Sequence, residues 1–488
     1  MPAIIAKSFE SCSESDSTTA SGSGSRTPPA PIHPDWSRST GACAKLVTVN
    51  KDGNREALLL HVDRSLTIGR HPSCSYVVPD LVVSSLHCKL YAVKSSDGGI
   101  ILSCQDFSTN GLILNSHKIR KTSVILMDGD VVEIPHSQKF ECILLEKPPS
   151  QNTNIFDPTP PRERSPKTKR IDRYLVASHC LGSGSFATVH LAMDTTEHRQ
   201  VACKSIKRKN NDKIEKVMKE VDILLRLTHP NINRVWAANY NSSFVHIFLE
   251  LCTGGDLFSY IVGHTDSRLC EGEAKYIMYQ LMKGLKYLHD RQISHRGARL
   301  LQPENILLHS PGPYPRIQIA DFGLARPKAY QETFNVCGTV SYLPPEGILA
   351  LDHKHLGYVG MPADCWSAGV IMYIMLAGGH PFDYDKMPGE SEWYSYRQSE
   401  PLDDGSQVSL SQNSVQTDCI VKKRIVHCEP EFPGMLWRSI PHAQALCSHL
   451  LVYDYLHRAT VFHALQSDWF LSELAELEAA YNERIGAA

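Results

Sequence analysis

The stretch Ile293-Ser294-His295-Arg296-Gly297-Ala298-Arg299-Leu300-Leu301-Gln302-Pro303-Glu304-Asn305, followed by Ile319-Ala320-Asp321-Phe322-Gly323, decides how the chain is read. Asn305 offers an amide oxygen and, sixteen residues on, Asp321 offers a carboxylate. Both are hard oxygen donors of the kind that bracket divalent ions while those ions also hold phosphates. The pair predicts a magnesium–nucleotide site with Asn305 and Asp321 as the metal ligands.

Upstream motifs agree with that expectation. Leu181-Gly182-Ser183-Gly184-Ser185-Phe186-Ala187-Thr188-Val189 follows an apolar strand. Two close glycines, Gly182 and Gly184, let a backbone approach phosphates that any side chain would repel. In Val201-Ala202-Cys203-Lys204, strand alternation puts Val201 and Cys203 on one face and Ala202 and Lys204 on the other. An inward lysine needs an anion. Over the helical stretch 213–228, Val217, Val221 and Leu224 make an apolar stripe that includes Glu220. A carboxylate there is costly unless paired, so Lys204–Glu220 is the expected ion pair.

In this order the motifs resemble the eukaryotic protein kinases. The resemblance implies a two-lobed α+β fold over 174–470, with ATP and Mg2+ as cofactors and protein serine or threonine hydroxyls as substrates. It places Leu181, Gly182, Ser183, Gly184, Val189 and Lys204 around the nucleotide. The backbone of Glu250 and Cys252 would hold adenine. It gives Lys204, Glu220 and Asp321 catalytic roles and puts Asp256 beside the ribose, an ordinary helix N-cap being the alternative. Glu346 and Arg458 would form a structural ion pair, with Asp364 a buried carboxylate. Asn335 stands where many relatives carry an activating threonine, and Thr333 is shifted from that place.

The chain departs from the family in one place. Where the family has Asp-Leu-Lys between the arginine and the proline, this chain has the six residues Gly297 to Gln302, and no Asp or Glu occupies 291–303. The general base is therefore not found, and Gln302 replaces a lysine. Loss of a general base costs on the order of 10²–10⁴ in rate. One reading is a serine/threonine kinase with an altered loop. Another is a pseudokinase scaffold that binds ATP and phosphothreonine partners without phosphotransfer. The confinement of the change to six consecutive residues favours the first. A plain adaptor without nucleotide is disfavoured by Lys204, Glu220, Asn305 and Asp321.

The region 41–147 has a different texture. Short β-branched runs such as Leu46-Val47-Thr48-Val49, Leu66-Thr67-Ile68-Gly69 and Cys88-Lys89-Leu90-Tyr91 alternate with turn formers, which predicts an all-β sandwich. Gly69-Arg70, Ser84-Ser85-Leu86-His87 and Asp106-Phe107-Ser108-Thr109-Asn110-Gly111 fall on its loops. In order and spacing they resemble the forkhead-associated (FHA) domain. That resemblance implies phosphothreonine recognition, Arg70 and Ser84 holding the phosphate and Asn110 the peptide main chain. A guanidinium fork and a hydroxyl suit phosphate oxygens. For His87 and Gly111 a structural role is expected.

The rest bounds the setting. Residues 1–40, rich in Ser, Gly and Pro, are expected to be a disordered tail. Residues 148–173 read as a proline-stiffened linker, and the basic run 162–173 reads as a nuclear address or a solvated charge run. Residues 384–420 read as an insertion loop, and 471–488 as a closing helix and tail. The 50 Lys and Arg nearly balance the 52 Asp and Glu, so no global field points to nucleic acid or membrane. None of the 15 cysteines forms Cys-x-x-Cys, which favours buried free thiols in a reducing compartment. The apolar run near Gly369–Ala377 is short for a membrane span and fits a buried helix. A nuclear protein, otherwise cytoplasmic, is expected, with phosphothreonine proteins and protein substrates as partners and a phosphorylation-dependent dimer among the assemblies considered. An FHA domain ahead of a kinase resembles the checkpoint effector kinases of the DNA-damage response.

Overall fold

The computed structural model describes residues 41–50, 53–62, 64–95, 99–145, 168–183, 187–208, 221–241, 243–295, 301–321, 340–352, 359–383 and 420–486. The chain divides into two compact units.

The first unit is all β. Its strands are β1 (Ala44–Val49), β2 (Arg55–Leu60), β3 (Leu66–Gly69), β4 (Tyr76–Val77), β5 (Cys88–Lys94), β6 (Ile100–Asp106), β7 (Leu112–Leu114), β8 (His117–Ile119), β9 (Ser123–Ile125), β10 (Val131–Glu133) and β11 (Lys139–Leu144). They form two sheets, ordered β2-β1-β11-β10-β7-β8 and β4-β3-β5-β6-β9. Period-two alternation buries Leu46 and Thr48 on β1, Cys88 and Leu90 on β5, and Phe140 and Cys142 on β11. The sequence runs located β1, β3, β5, β6, β7 and β10. They gave no separate sign of β2, β4, β8, β9 or β11, which pairing with other strands holds in place.

The second unit opens with an antiparallel sheet of β12 (Thr168–Ile171), β13 (Tyr174–Ser183), β14 (Ala187–Asp194), β15 (Arg199–Lys207), β16 (Val235–Tyr240) and β17 (Phe244–Glu250), ordered β12-β13-β14-β15-β17-β16. β12 falls inside 148–173, so the last residues of the expected linker are an edge strand instead, paired from Ile171↔Tyr174 back to Thr168↔Ala177. On β15 the expected alternation holds. Val201 and Cys203 join Tyr174, Ala192 and Phe248 in one apolar cluster, while Lys204 lies on the opposite face.

Helices then dominate: α1 (Leu257–Val262), α2 (Glu271–His289), α3 (Pro345–Asp352), α4 (Gly360–Ala377), α5 (420–427), α6 (Gly434–Ser439), α7 (Pro441–Leu450), α8 (Val461–Leu465), α9 (Asp468–Leu471) and α10 (Leu474–Gly486). Between α2 and α3 sits the hairpin β18 (Ile306–Leu308) and β19 (Ile317–Ile319). α4 is apolar on all sides because it is a core helix, packed between α2 and α7 and buried along most of its length. The expected Glu346–Arg458 pair forms with two bonds of 2.8 and 2.9 Å. α10 begins three residues later than the expected 471 and docks through Tyr481 Oη to Asn231 Oδ1 at 2.8 Å. Of the expected insertion, 384–419 lies outside the described residues.

Candidate functional site

The β18–β19 hairpin brings the two expected metal ligands together. Asn305 ends a single 3-10 turn begun by Pro303, whose ring presets the first helical φ. Ile306 then pairs with Ile319, and the Ala320 N–H donates to the Asn305 carbonyl at 2.8 Å. Asn305 and Asp321 therefore flank the open end of one short ladder. Asp321 has φ of 56°, a left-handed conformation that Asp tolerates better than most residues. A carboxylate and an amide oxygen in this arrangement fit a magnesium ion that takes its remaining ligands from phosphates and water.

Across from the hairpin, the Lys204 ammonium is ion-paired with the Asp321 carboxylate, the side chains being 18% and 17% exposed. The inward lysine therefore has an anion, the residue brought up by β19. Glu220 lies outside the described residues, as do Gly184, Phe322 and Gly323, 296–300 of the catalytic loop, and Thr333 and Asn335. Leu181, Gly182 and Ser183 end β13, Gly182 pairing with Val189 and Ser183 with Thr188. Val189 in turn pairs with Lys204, so both sit on the same face.

Glu250 ends β17 and Cys252 lies two residues beyond it. Three residues that the sequence did not single out hold them from behind. Asn233 Nδ2 donates to the Glu250 carbonyl at 3.0 Å and to Gln318 Oε1 at 2.8 Å. Gln318 Nε2 donates to Glu250 Oε2 at 2.9 Å, and the Cys252 thiol donates to Gln318 Oε1 at 3.1 Å. His309 lies 3.5 Å from Glu250 Oε1. Burial works to raise the Glu250 carboxyl, but His309, Arg316 and Gln318 together hold it below its usual value. Burial pushes the Cys252 thiol up, so it is no nucleophile at neutral pH. The available sign was a glutamine inside the apolar run Ile317-Gln318-Ile319, since a buried amide must be satisfied. Asp256 is the N-cap of α1, accepting from Ser259 N at 2.8 Å and Ser259 Oγ at 3.0 Å. Buried Asp364 anchors the start of the catalytic loop, its Oδ2 accepting from His295 N at 2.9 Å and bonding His289 Nε2 at 3.0 Å.

In the β sandwich, Arg70, Ser84 and Asn110 converge on the loops as expected. Arg70 Nε donates to Val83 O at 3.2 Å, and the terminal nitrogens of this exposed residue make no hydrogen bond among the described residues. Ser84 Oγ accepts the Thr109 N–H at 3.1 Å, which leaves the hydroxyl proton to donate elsewhere. Asn110 Nδ2 donates to Val82 O at 3.0 Å. His87 has the structural role expected of it. Its Nδ1 accepts from Ser84 N at 3.2 Å, so Nε2 carries the proton toward Gly111 O at 3.3 Å, and burial lowers its pKa. Gly111 has φ of +81°, and a Cβ there would meet Ile119 O at 2.5 Å, so both conformation and space require glycine.

Residues 175–470 match the protein kinase domain and 66–135 match the FHA domain. The chain belongs to the protein kinase family, as a serine/threonine-protein kinase that carries an FHA domain. It is 30% identical to the meiosis-specific serine/threonine-protein kinase mek1 of Schizosaccharomyces pombe, over 91% of this chain and 89% of that protein. It is 28% identical to the meiosis-specific serine/threonine-protein kinase MEK1 of Saccharomyces cerevisiae, over 91% and 88%. It is also 29% identical to the serine/threonine-protein kinase RAD53 of Saccharomyces cerevisiae, over 65% of this chain and 42% of that protein. These likenesses give no support to the scaffold reading.

Proposed function

We propose that this chain binds ATP with Mg2+ between its sheet and the β18–β19 hairpin and phosphorylates proteins that its FHA domain helps to recruit. The observation that carries the reading is the set of Lys204, Asp321 and Asn305, drawn from β15 and from both ends of one hairpin. Asn305 and Asp321 would hold the metal, which neutralises phosphate charge when bound. Lys204 supplies a cation for the phosphate oxygens. Asn233 and Gln318 fix the hinge backbone that takes adenine. Magnesium-ATP should raise the melting temperature of the full chain by a few degrees, as expected of a ligand well above its Kd. Lys204→Met and Asp321→Asn should remove the rise. No rise in the parent chain would sink the nucleotide reading.

On the FHA side, Arg70 and Ser84 take the phosphate of a phosphothreonine and Asn110 the main chain beside it. The geometry supports this because all three side chains sit on neighbouring loops with donors to spare. A chain of this kind would act in checkpoint or meiotic signalling, the settings that its resemblance and its relatives' names indicate. The basic run 162–173 would direct it to the nucleus, and a phosphothreonine on one copy would bridge to the FHA domain of another. A fluorescent fusion that stays nuclear after the run is neutralised would remove the first of these proposals. A phosphorylated chain that remains monomeric would remove the second.

A further inference from the structure

The sheet β12–β17 has two faces. One presents Lys204 and Val189 to the nucleotide site. The other is closed by the Tyr174, Val201, Cys203 and Phe248 cluster toward one end, and toward the other it opens into a cleft of about 260 Å3. Six polar side chains reach this cleft: Lys169, Ser178, Thr188, His190, Ser205 and His246. Alternation puts them there, since Thr188 pairs with Ser205 and His190 with Cys203 on the face opposite Lys204. Ile171, Val176 and Phe244 add apolar surface.

Three features give the cleft a chemical preference. Among the described residues, no carboxylate lines it. Lys169, Ser178, Thr188 and His190 make no side-chain hydrogen bond or ion pair among the described residues, although all four line a concave site. Ser205 is also set up as a donor. Asn241 Oδ1 accepts the N–H groups of Ser243 and Phe244, both at 2.8 Å, so Asn241 Nδ2 faces His246 Nε2 at 3.4 Å as the donor. The ring proton then lies on His246 Nδ1 and goes to Ser205 Oγ at 2.8 Å, so the serine's own proton is a donor shared between the Cys203 thiol at 3.8 Å and the cleft. Burial, and secondarily Lys169, lowers the pKa of His246, and burial lowers that of His190, which keeps both rings neutral.

The geometry points to this cleft as a binding site for a compact organic anion, a phosphate or carboxylate borne on a small apolar group. Donors without acid neighbours suit the anionic head, and the apolar lining suits the body. The volume lies below the usual range for pockets of drug-sized ligands, so a single ring is about the right size. An occupant would rest on β13 and β14, the two strands that carry the glycine-rich turn, and on β15, which carries Lys204. Binding on this face would therefore couple to the nucleotide face through shared strands. The site stands apart from the nucleotide reading, and its test does not depend on that reading.

The test is calorimetric titration of the full chain with phenyl phosphate, with benzoate as a second anion and benzyl alcohol as the neutral control. Both anions are expected to saturate one site with a Kd in the millimolar range or tighter, as expected for ligands of about ten heavy atoms. Lys169→Ala and His190→Leu should each weaken them about tenfold, the scale of one charge-assisted bond. Arg70→Ala should leave this binding in place, which separates it from the FHA loops. Lys169 is exposed, so its variant should fold normally. Absence of anion binding at about 10 mM overturns the proposal, as does equal binding of benzyl alcohol. Unchanged affinity in both cleft variants overturns it too.

Discussion

Replacing Arg70 by lysine measures what a guanidinium fork contributes to phosphopeptide binding. Arg70 Nε is already committed to Val83 O at 3.2 Å, and its backbone N–H to Ser84 O at 2.9 Å. The plane is thereby fixed, and both terminal nitrogens remain for phosphate oxygens. A lysine keeps the charge but loses the anchor and one of the two parallel bonds. A bond to a charged group contributes about 1.5–3 kcal/mol, and exposure here argues for the lower part of that range. Arg70→Lys should therefore cost about 1–2 kcal/mol, or roughly 5- to 30-fold in Kd. Arg70→Ala loses both bonds and should cost about 2–4 kcal/mol, roughly 30- to 1,000-fold. The assay is fluorescence anisotropy of a labelled degenerate phosphothreonine peptide pool, with the unphosphorylated pool as the blank. If Arg70→Lys binds within twofold of the parent chain, the fork is not what reads the phosphate.

Other perturbations test other links. Replacing Gly297 through Gln302 by Asp-Leu-Lys should speed phosphate transfer to a mixed serine/threonine peptide substrate, by on the order of 10²–10⁴. An unchanged rate would mean that another group serves as base. Arg458→Met removes the partner of Glu346 and the donors to the carbonyls of Val452, Pro362 and Tyr453. Breaking a buried pair of this kind costs about 3–5 kcal/mol, and a loss below about 1 kcal/mol in urea melts would contradict the packing described. His380 is buried, and burial lowers its pKa to about 4, a shift partly opposed by its bond to Ser341 O. Its folded value lies below the ordinary 6.5, so its contribution is whole above pH 6.5 and is lost as pH falls toward 4. The unfolded chain takes up the proton first. His380→Gln should flatten the stability profile between pH 6.5 and 5 by on the order of 2 kcal/mol. Gly69→Ala would drive a Cβ to 2.3 Å from Ser85 O, separating Arg70 from Ser84. It should weaken phosphopeptide binding more than it lowers the melting temperature.

What the chain disclosed unaided was whatever short-range geometry controls. Two glycines near a strand end, Asn305 ahead of an apolar run, and Asp321 after another are local patterns. The alternation of Val201, Cys203 and Lys204 follows from the two-residue period of a strand, so the faces could be assigned before any fold was known. Arg70, Ser84 and Asn110, and the Glu346–Arg458 pair, were expected through the family resemblances that their motifs carry. Tertiary structure alone decided which charges and amides meet. That Lys204 meets Asp321, 117 residues further on, was not foreseen, and only the approach of β19 to β15 makes the pair. Asn233 and Gln318 are 85 residues apart, and neither shows from its neighbours that it braces the hinge. β12 looked like linker because an edge strand needs a partner more than a pattern, and β13 supplies it. The outer cleft is the same case, since its lining comes from five strands that only sheet order sets side by side. Period and spacing are written along the backbone, whereas the partner of a charge or an amide depends on which distant segment folding brings within about 3 Å of it.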